Sequence, residues 1–460
     1  MSRLDEVNEL VAKRTQEPST ARIRAEKLFD EGSFAELGRF NDEAGVITGF
    51  GTINGRLVYA YSQEGAVNYA HAKKIGKVYE LALKMGAPVV GIMDSKGVVL
   101  EDGLNAFDAY GSIFKNQTDA SGVVPQISVV LGDCIGVSSM IPVLSDFVLM
   151  SEEKAKLFMM SPSVFEGLEG KSTTYDEIGG AVNHKKNTGL VHCTYKNEEE
   201  CILGARKLLS YLPDNNLDGA VAETSSDDLN RVDEALNTIV PEKDEEQIDM
   251  RYIISYIADN SDFFEIHKGY ADNVLTGFIK LDGITSGVIA CSGDMSVSTC
   301  HKTGEFVNIC DAFNIPIITL TDALGYEKKY DQEHNGLISY AAKLLYTFAN
   351  ATVPKINVVI RNGIGNVYLV MNSRHIGADV VLAWPSAKMA LMPKDAQVKI
   401  LGTSPEKYDD DASPYHAAEL GYVDNIILPS DTRKRLISMV EMLLTKREAK
   451  PARKHSSIEF

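Results

Sequence analysis

Two short glycine-bearing segments are the places where this sequence could do chemistry. Gly132-Asp-Cys-Ile-Gly136-Val137-Ser138 and Arg361-Asn-Gly-Ile-Gly365-Asn366-Val367 each follow an apolar run of strand character and lead into a helical stretch. A strand that ends in a glycine turn and enters a helix presents unpaired backbone N–H groups, which can hold a developing oxyanion without a charged side chain. Two copies therefore point to two oxyanion sites, one per reactant. A plainer alternative, that the glycines only make tight turns, stays open on the repeat alone. Other routes to chemistry are poorly furnished. There is no Gly-x-Ser-x-Gly elbow, no Walker A loop and no His-Glu-x-x-His pair. The nine histidines form no pair at metal-ligand spacing: His184 and His192 stand eight apart, and His375 follows Arg374 alone. Glu101-Asp102 offers a general base, but adjacent acids beside a glycine more often mark a solvated turn, where nothing tunes their pKa.

The elements that must position these loops occur twice. Thr48-Gly49-Phe50 recurs 228 positions later as Thr276-Gly277-Phe278, and Asn54-Gly55 recurs as Asp282-Gly283 at the same offset. Asn-Gly and Asp-Gly are strong two-residue hairpin turns, so the spacing predicts hairpins over Val46–Thr52 with Arg56–Ser62 and Leu275–Leu281 with Ile284–Cys291. A helix follows over Ala66–Met85, with Tyr69, Ala72, Ile75, Tyr79 and Ala82 on one face and Gly86 as its cap; its counterpart covers roughly Thr299–Phe313 and ends at Asn314. Buried strands are predicted at Pro88–Met93 and Pro316–Thr321, then at Gln126–Leu131 and Lys355–Ile360, each second strand running into its glycine loop. One unit is thus hairpin, helix, strand, helical segment, strand, glycine loop and helix. Agreement in several separate features establishes an internal duplication. The polar stretch Pro213–Asp249 reads as the connector, and Ser430–Arg447 as an amphipathic helix overlapped by a basic tail, Lys446–His455, that is solvated or forms an interface.

Composition narrows the function. A chain of 460 residues with 44% hydrophobic and 24% charged residues is a globular protein of more than one domain. A net charge of −18 excludes a general nucleic-acid binder, which needs a positive surface. Six scattered cysteines without a Cys-x-x-Cys pair fit reduced core thiols. The polar N-terminus is no signal peptide and no apolar run is long enough to span a bilayer, so the sequence predicts a cytoplasmic protein without direct membrane insertion.

Several segments resemble the carboxyltransferase (beta) subunits of biotin-dependent acyl-CoA carboxylases, the propionyl-CoA carboxylase type among them. They include Gly86–Gly91 (GAPVVG) with Asp94-Ser95, Ala120–Ser128 (ASGVVPQIS), Asp176–Ala181 (DEIGGA), Arg206–Pro213 (RKLLSYLP) and Phe263–Ile266 (FFEI). Further matches are Cys310–Pro316 (CDAFNIP), Ala351–Lys355 (ATVPK), His375–Asp379 (HIGAD) and the closing Thr445–His455. The resemblance runs almost end to end. It implies an α/β fold of two tandem crotonase-like (ClpP/crotonase) domains, 1–240 on the acyl-CoA side and 241–460 on the biotin side. It implies dimers within a homo- or hetero-hexamer, the site lying between the N-domain of one chain and the C-domain of another. Under it, Gly136, Val137 and Ser138 hold the thioester enolate of a coenzyme A substrate, and Gly365, Asn366 and Val367 hold the ureido oxygen of carboxybiotin, with Gly365 and Asn366 as the cofactor contacts. Asp94, Ser95, Lys96, Gly97 and Leu369 are the implied substrate-binding residues. Biotin itself takes the α-proton in this mechanism, consistent with the lack of a catalytic His or Glu. The chain has no Ala-Met-Lys-Met biotinylation site and no ATP-grasp sequence, so a biotin carboxyl carrier protein, with a biotin carboxylase or membrane decarboxylase subunits, is the implied partner.

The departures from the family pattern fall on the loops. Where relatives read Gly-Pro-Cys-Ala-Gly-Gly-Ala and Ala-Tyr-Gly-Gly-Ala-Tyr, this chain has Gly132–Ser138 and Gly363-Ile-Gly-Asn-Val-Tyr368, so the second glycine of each pair has become Val137 or Asn366. Asp-Ser-Gly-Gly-Ala-Arg has become Asp94-Ser-Lys-Gly-Val-Val99, and the later Pro-Gly loop has become Leu324–Lys329. Three expectations follow: an active carboxyltransferase or its decarboxylating relative, a non-catalytic paralogue that assembles with an active subunit, and a crotonase-type hydrolase or isomerase using Glu101 or Asp102. Closure of the cleft by Val137 or Lys96 would argue against catalysis.

Overall fold

The computed structural model describes residues 2–16, 18–41, 45–241, 243 and 246–458, so Glu242, Asp244 and Glu245 of the polar connector lie outside the described residues. The chain divides into two compact units, Met1–Ser210 and Tyr211–Phe460. Each is built on an eight-stranded sheet. In the first, β1 (Ala35–Leu37), β2 (Val46–Ile53), β3 (Arg56–Gln63), β4 (Val89–Ser95), β5 (Gln126–Ile135), β6 (Phe147–Ser151) and β8 (Cys193–Tyr195) lie side by side, and β7 (Lys156–Phe158) pairs with the end of β5. In the second, β9 (Phe264–Ile266), β10 (Val274–Leu281), β11 (Ile284–Met295), β12 (Ile317–Tyr326), β13 (Lys355–Ile364), β14 (Val380–Ala383) and β16 (Asn425–Ile426) follow the same order, with β15 (Lys388–Ala390) on β13. The first three strands of each sheet are antiparallel and the rest parallel.

Both hairpins turn where the sequence places them, with positive φ at Asn54 and Gly55 and at Asp282 and Gly283. The parallel strands are buried on both faces. Val89 and Met93 pack with Ile75, Val78 and Tyr79 of the Tyr69–Met85 helix, while the alternating Val90 and Ile92 are fully buried on the opposite face. In the second unit Ile318, Leu320, Val358 and Ile360 pack under Leu436, Ile437 and Val440 of the Thr432–Leu443 helix.

Some boundaries differ from expectation for local reasons. The first long helix starts at Tyr69 rather than Ala66, because Val67 forms a parallel bridge to Val98 and the Asn68 side chain caps the helix by accepting from the His71 N–H. Its counterpart starts earlier, at Val297, where Ser296 and Thr299 form a reciprocal capping box. The C-terminal helix stops at Leu443, not Arg447. Beyond it the basic tail is tethered at two lysines and otherwise exposed: Lys446 Nζ contacts the Val353 carbonyl at 3.1 Å and Asp379 at 2.8 Å, and Lys450 Nζ donates to the Ala349 carbonyl at 3.1 Å.

The duplication extends to side chains that no motif revealed. In the first unit Asp30 accepts from the turn N–H groups of Asn54 and Gly55 and pairs with Arg206, which also donates to the Leu28 carbonyl. In the second, Asp259 accepts from Asp282 and Gly283 and pairs with Arg433, which donates to the Ile257 carbonyl. Each arginine sits in the last helix of its repeat, Glu198–Leu209 or Thr432–Leu443, and thereby ties that helix to the first hairpin. The two latches differ in burial: the Arg433 side chain is 1% exposed and that of Arg206 20%. The connector belongs to the second unit, along whose hairpin it runs, through the bonds Glu223 N–H to Gly283 O and Thr285 N–H to Val221 O.

Candidate functional site

The two glycine loops leave corresponding interior strands, β5 and β13, at their C-terminal ends. β5 passes into a helical turn at Gly136–Ser139, and β13 into the helix Gly365–Val370. Gly136 (φ +61°) and Gly365 (φ +68°) occupy the same place in the two repeats, 229 positions apart, and both are left-handed. A Cβ on Gly136 would meet nothing within 4 Å and one on Gly365 only the Leu391 carbonyl at 3.5 Å, so glycine is required by conformation rather than room. The left-handed residue turns the chain from strand to helix. That places the N–H groups at each loop, which have no intrahelical partner, at the strand end.

Beneath the first loop lies a buried hydroxyl cluster. Ser138 Oγ stands 2.5 Å from Tyr110 Oη and 3.2 Å from Ser95 Oγ, and the three residues are 0–3% exposed. Ser138 thus turns its side chain inward, and the cluster joins the loop to the Asp94–Gly97 segment. That segment is itself stitched to the Gly65–Val67 backbone by Lys96 N–H to Gly65 O at 3.2 Å and Val67 N–H to Gly97 O at 2.8 Å. Burial raises the Tyr110 pKa, so the phenol stays protonated and can donate. Val137 is half-buried against the core, and the Lys96 side chain is exposed.

Asp94 is engaged by the protein. Its carboxylate pairs with the buried Arg24 at 2.8 Å, Arg24 also holds Glu198 at 2.6 Å, and the Asp94 carboxylate fills the space where a Cβ on Gly132 would lie. The repeat solves the same problem differently. Asp322, at the equivalent strand irregularity, is neutralised by Arg361 at 2.9 Å, and Arg361 occupies the position that corresponds to Gly132. Each carboxylate sits where the sheet register shifts and accepts from groups in the gap.

The second loop opens on a cavity of about 710 Å3 that lies wholly within the second unit. Gly365, Asn366 and Leu369 line it, as do Tyr368, His375 and Leu391. Asn366 and Leu369 are exposed, while Val367 is buried in the core. Of the expected residues, then, Ser95 and Ser138 meet at the first loop, and Gly365, Asn366 and Leu369 meet at the second. Glu101 is exposed on the short turn Leu100–Asp102. Tyr110 lies 28 positions from Ser138 and carries no sequence signal, whereas Tyr368 is three residues past Gly365, one turn along a predicted helix.

Two parallel sheets with an antiparallel hairpin at one side, each sending the same interior strand through a left-handed glycine into a helix, define the class: a tandem crotonase-like protein. The family model for the carboxyl transferase domain matches residues 12–458. The methylmalonyl-CoA decarboxylase subunit alpha of Veillonella parvula is 40% identical over 95% of this chain and 92% of that protein. The propionyl-CoA carboxylase beta chain of Cereibacter sphaeroides is 37% identical over 95% of this chain and 93% of its own length. Among solved structures, the hexameric transcarboxylase 12S with hydrolysed methylmalonyl-coenzyme A bound is similar with a TM-score of 0.93 and 37% identity, covering 98% of this chain and 95% of that one. The chain belongs to the carboxyl transferase domain family, and it is a carboxyltransferase of the propionyl-CoA carboxylase and methylmalonyl-CoA decarboxylase type. Among the described residues, no helix is long and apolar enough to cross a membrane.

Proposed function

We propose that the two glycine loops are the two oxyanion sites of carboxyl transfer between an acyl-CoA α-carbon and a biotin held on a separate carrier. Gly136, Val137 and Ser138 present backbone N–H groups to the thioester oxygen, and Gly365, Asn366 and Val367 present theirs to the ureido oxygen. The observation that carries this reading is the recurrence of one left-handed glycine at the end of the corresponding strand, β5 or β13, in both repeats. Asp94, Ser95, Lys96 and Gly97 frame the first site, and Leu369 the second. Of the loops' new side chains, Val137 is half-buried against the core and Asn366 stands exposed at the cavity. Both loops keep the left-handed glycine that exposes their N–H groups, which favours an active subunit over a purely assembling one.

The second site suits a compact polar head, because its cavity is within the size range of small-ligand pockets and mixes apolar walls with a few polar groups. Biotin, when bound there, would supply the transferable carboxyl group and a ureido nitrogen for the α-proton. The protein's part is electrostatic and positional. Backbone N–H groups fixed before the reaction stabilise negative charge as it develops on the thioester oxygen, without reorganising. Stabilisation by a rigid donor of this kind is worth about 3–4 kcal/mol per donor in other enzymes. Assembly as a hexamer, as in transcarboxylase 12S, with a biotin carboxyl carrier protein and either a biotin carboxylase or membrane decarboxylase subunits as partners, completes the reading.

The test is biotin-dependent consumption of methylmalonyl-CoA, or carboxylation of propionyl-CoA from carboxybiotin, by the purified full chain. Turnover that rises with added biotin in the first assay, or with added carboxybiotin in the second, is the expected result. Hydrolysis or isomerisation of the thioester at the same rate without biotin would overturn the assignment.

A further inference from the structure

The strand that carries each glycine loop changes neighbours just before the loop. β5 pairs with β6 from Ile127 to Val130 and with β7 from Asp133 to Ile135. β13 pairs with β14 from Ile356 to Val359 and with β15 from Asn362 to Ile364. The direction in which each strand reaches its left-handed glycine is therefore set at the bend between the two partners, at Leu131 and Gly132 or at Ile360 and Arg361. On the other side of the strand the ladder is interrupted at the same level, between Met93 and Ser95 and between Thr321 and Ala323, and Asp94 or Asp322 stands in the gap.

The two repeats use that gap differently. Asp322 is 1% exposed, and one of its carboxylate oxygens accepts from Arg361 Nε at 3.1 Å, from the Asn362 backbone N–H at 3.1 Å and from Asn362 Nδ2 at 2.9 Å. The other accepts from Arg361 Nη2 at 2.9 Å and from Ser292 Oγ at 3.4 Å. Arg361 is fixed in turn by donating to the carbonyls of Lys243 at 3.1 Å and Glu246 at 2.9 Å. Asp94 instead takes its arginine from the Thr20–Leu28 helix, and the β5 residue against it, Gly132, has no side chain to offer. The first loop is anchored after its glycine, by Ser138 in the hydroxyl cluster. In the second loop the place of Ser138 falls to Val367, which is buried and can form no side-chain hydrogen bond. One loop is thus held beyond its glycine and the other before it.

We propose that Asp322 is the positioning residue of the second loop: through Arg361 and Asn362 it fixes the bend of β13, and with it the N–H groups that receive the ureido oxygen. This rests on the assignment of that loop to biotin. A buried carboxylate with charge-assisted bonds to both residues of the bend is a stiff anchor. Asn362 lies three residues before Gly365, a reach of about 10 Å, and the stretch between is paired to Lys388–Ala390, so a shift at the bend is passed on to the loop.

The experiment measures methylmalonyl-CoA consumption with free biotin for the full chain, for Asp322→Asn and for Asn362→Ala, which removes one side-chain donor and leaves the ion pair in place. Turnover is divided by the stoichiometry of methylmalonyl-CoA binding, so that misfolded chains do not count. Expected is a fall in turnover per binding site of about tenfold in Asp322→Asn and about threefold in Asn362→Ala, with the KM for methylmalonyl-CoA within about twofold of the parent. Should Asp322→Asn not fold, the Asn362→Ala result decides alone. Turnover per site in Asn362→Ala equal to that of the parent, whatever its thermal midpoint, makes the network structural and overturns the inference while leaving the function intact. A rise in KM larger than the fall in turnover would put the thioester at this loop and also overturns it. Absence of biotin-dependent turnover by the unmodified chain overturns the functional assignment and this inference with it.

Discussion

The hydroxyl cluster under the first loop allows a graded prediction. Ser138 is its hub, with one contact to Tyr110 at 2.5 Å and one to Ser95 at 3.2 Å, and all three side chains are buried. Tyr110→Phe removes the shorter bond and leaves Ser138 with one partner. A buried neutral hydrogen bond contributes about 1 kcal/mol, and a stranded hydroxyl adds to the loss, so this variant is expected to lose about 1–1.5 kcal/mol of stability. Ser138→Ala deletes the hub and takes a partner from each neighbour, although Ser95 keeps the Gly97 N–H at 3.4 Å, for about 2 kcal/mol. The functional consequence is larger than the energies alone, because the cluster sets where the loop's N–H groups point. A drift of a few tenths of an ångström weakens the oxyanion contact, so kcat for carboxyl transfer should fall about tenfold in Tyr110→Phe, with the KM for acyl-CoA changed less than twofold. Denaturant midpoints and steady-state kinetics with varied acyl-CoA provide the assay. A Tyr110→Phe variant with the stability loss but unaltered kcat would refute the positioning argument. Equal losses in the two variants would refute the hub.

The latches predict unequal sensitivities: Arg433→Met, which leaves a buried Asp259 without its countercharge, should cost about 3–5 kcal/mol by urea denaturation, and Arg206→Met about 1–2 kcal/mol because that pair is more exposed. Burial pushes the Asp146 carboxyl up to about 7, above its unfolded value near 3.9, so stability falls as pH rises from about 4 to 7 and levels off above. Asp146→Asn keeps an acceptor for the Gln126 N–H and should match the parent at pH 4 but exceed it by about 2–4 kcal/mol at pH 8, read from denaturant midpoints at the two pH values. Gly136→Ala has open space for its methyl but must take φ +61°, so a loss of about 1–2 kcal/mol and a modest fall in kcat are expected, with Gly136→Val far worse; equal activity of the two variants would show that the conformation is not what the loop needs.

Much of the fold is legible because its decisive signals are local. Asn54-Gly55 and Asp282-Gly283 must turn where they do, and the apolar runs ending at Gly136 and Gly365 can only be strands entering tight turns. Capping sets the helix starts, and here Ser296 with Thr299 was a signal in plain view, while the bridge from Val67 to Val98 was not. The latches were hidden by distance: Asp30 and Arg206 are 176 positions apart, and nothing near either residue names the other. The two answers to the strand-end carboxylate, Arg24 for Asp94 and Arg361 for Asp322, were hidden for a related reason, since one arginine comes from an early helix and the other from the neighbouring strand. At the site, backbone chemistry was readable from glycine spacing. Tyr110 was not, because a tyrosine in an amphipathic helix looks the same whether its hydroxyl meets a serine or water.

The latches also govern how the molecule is made. Arg206 reaches back 178 positions to the Leu28 carbonyl, and Arg433 reaches 176 positions to that of Ile257. Neither repeat can fasten its opening hairpin until its final helix has been synthesised, so each behaves as a clasp whose hook arrives last. The first repeat, however, has every part of its clasp by Leu209, before any strand of the second has been translated. Synthesis therefore produces two successive closures rather than one long search across 460 residues, and the growing chain exposes the unpaired strands of only one repeat at a time.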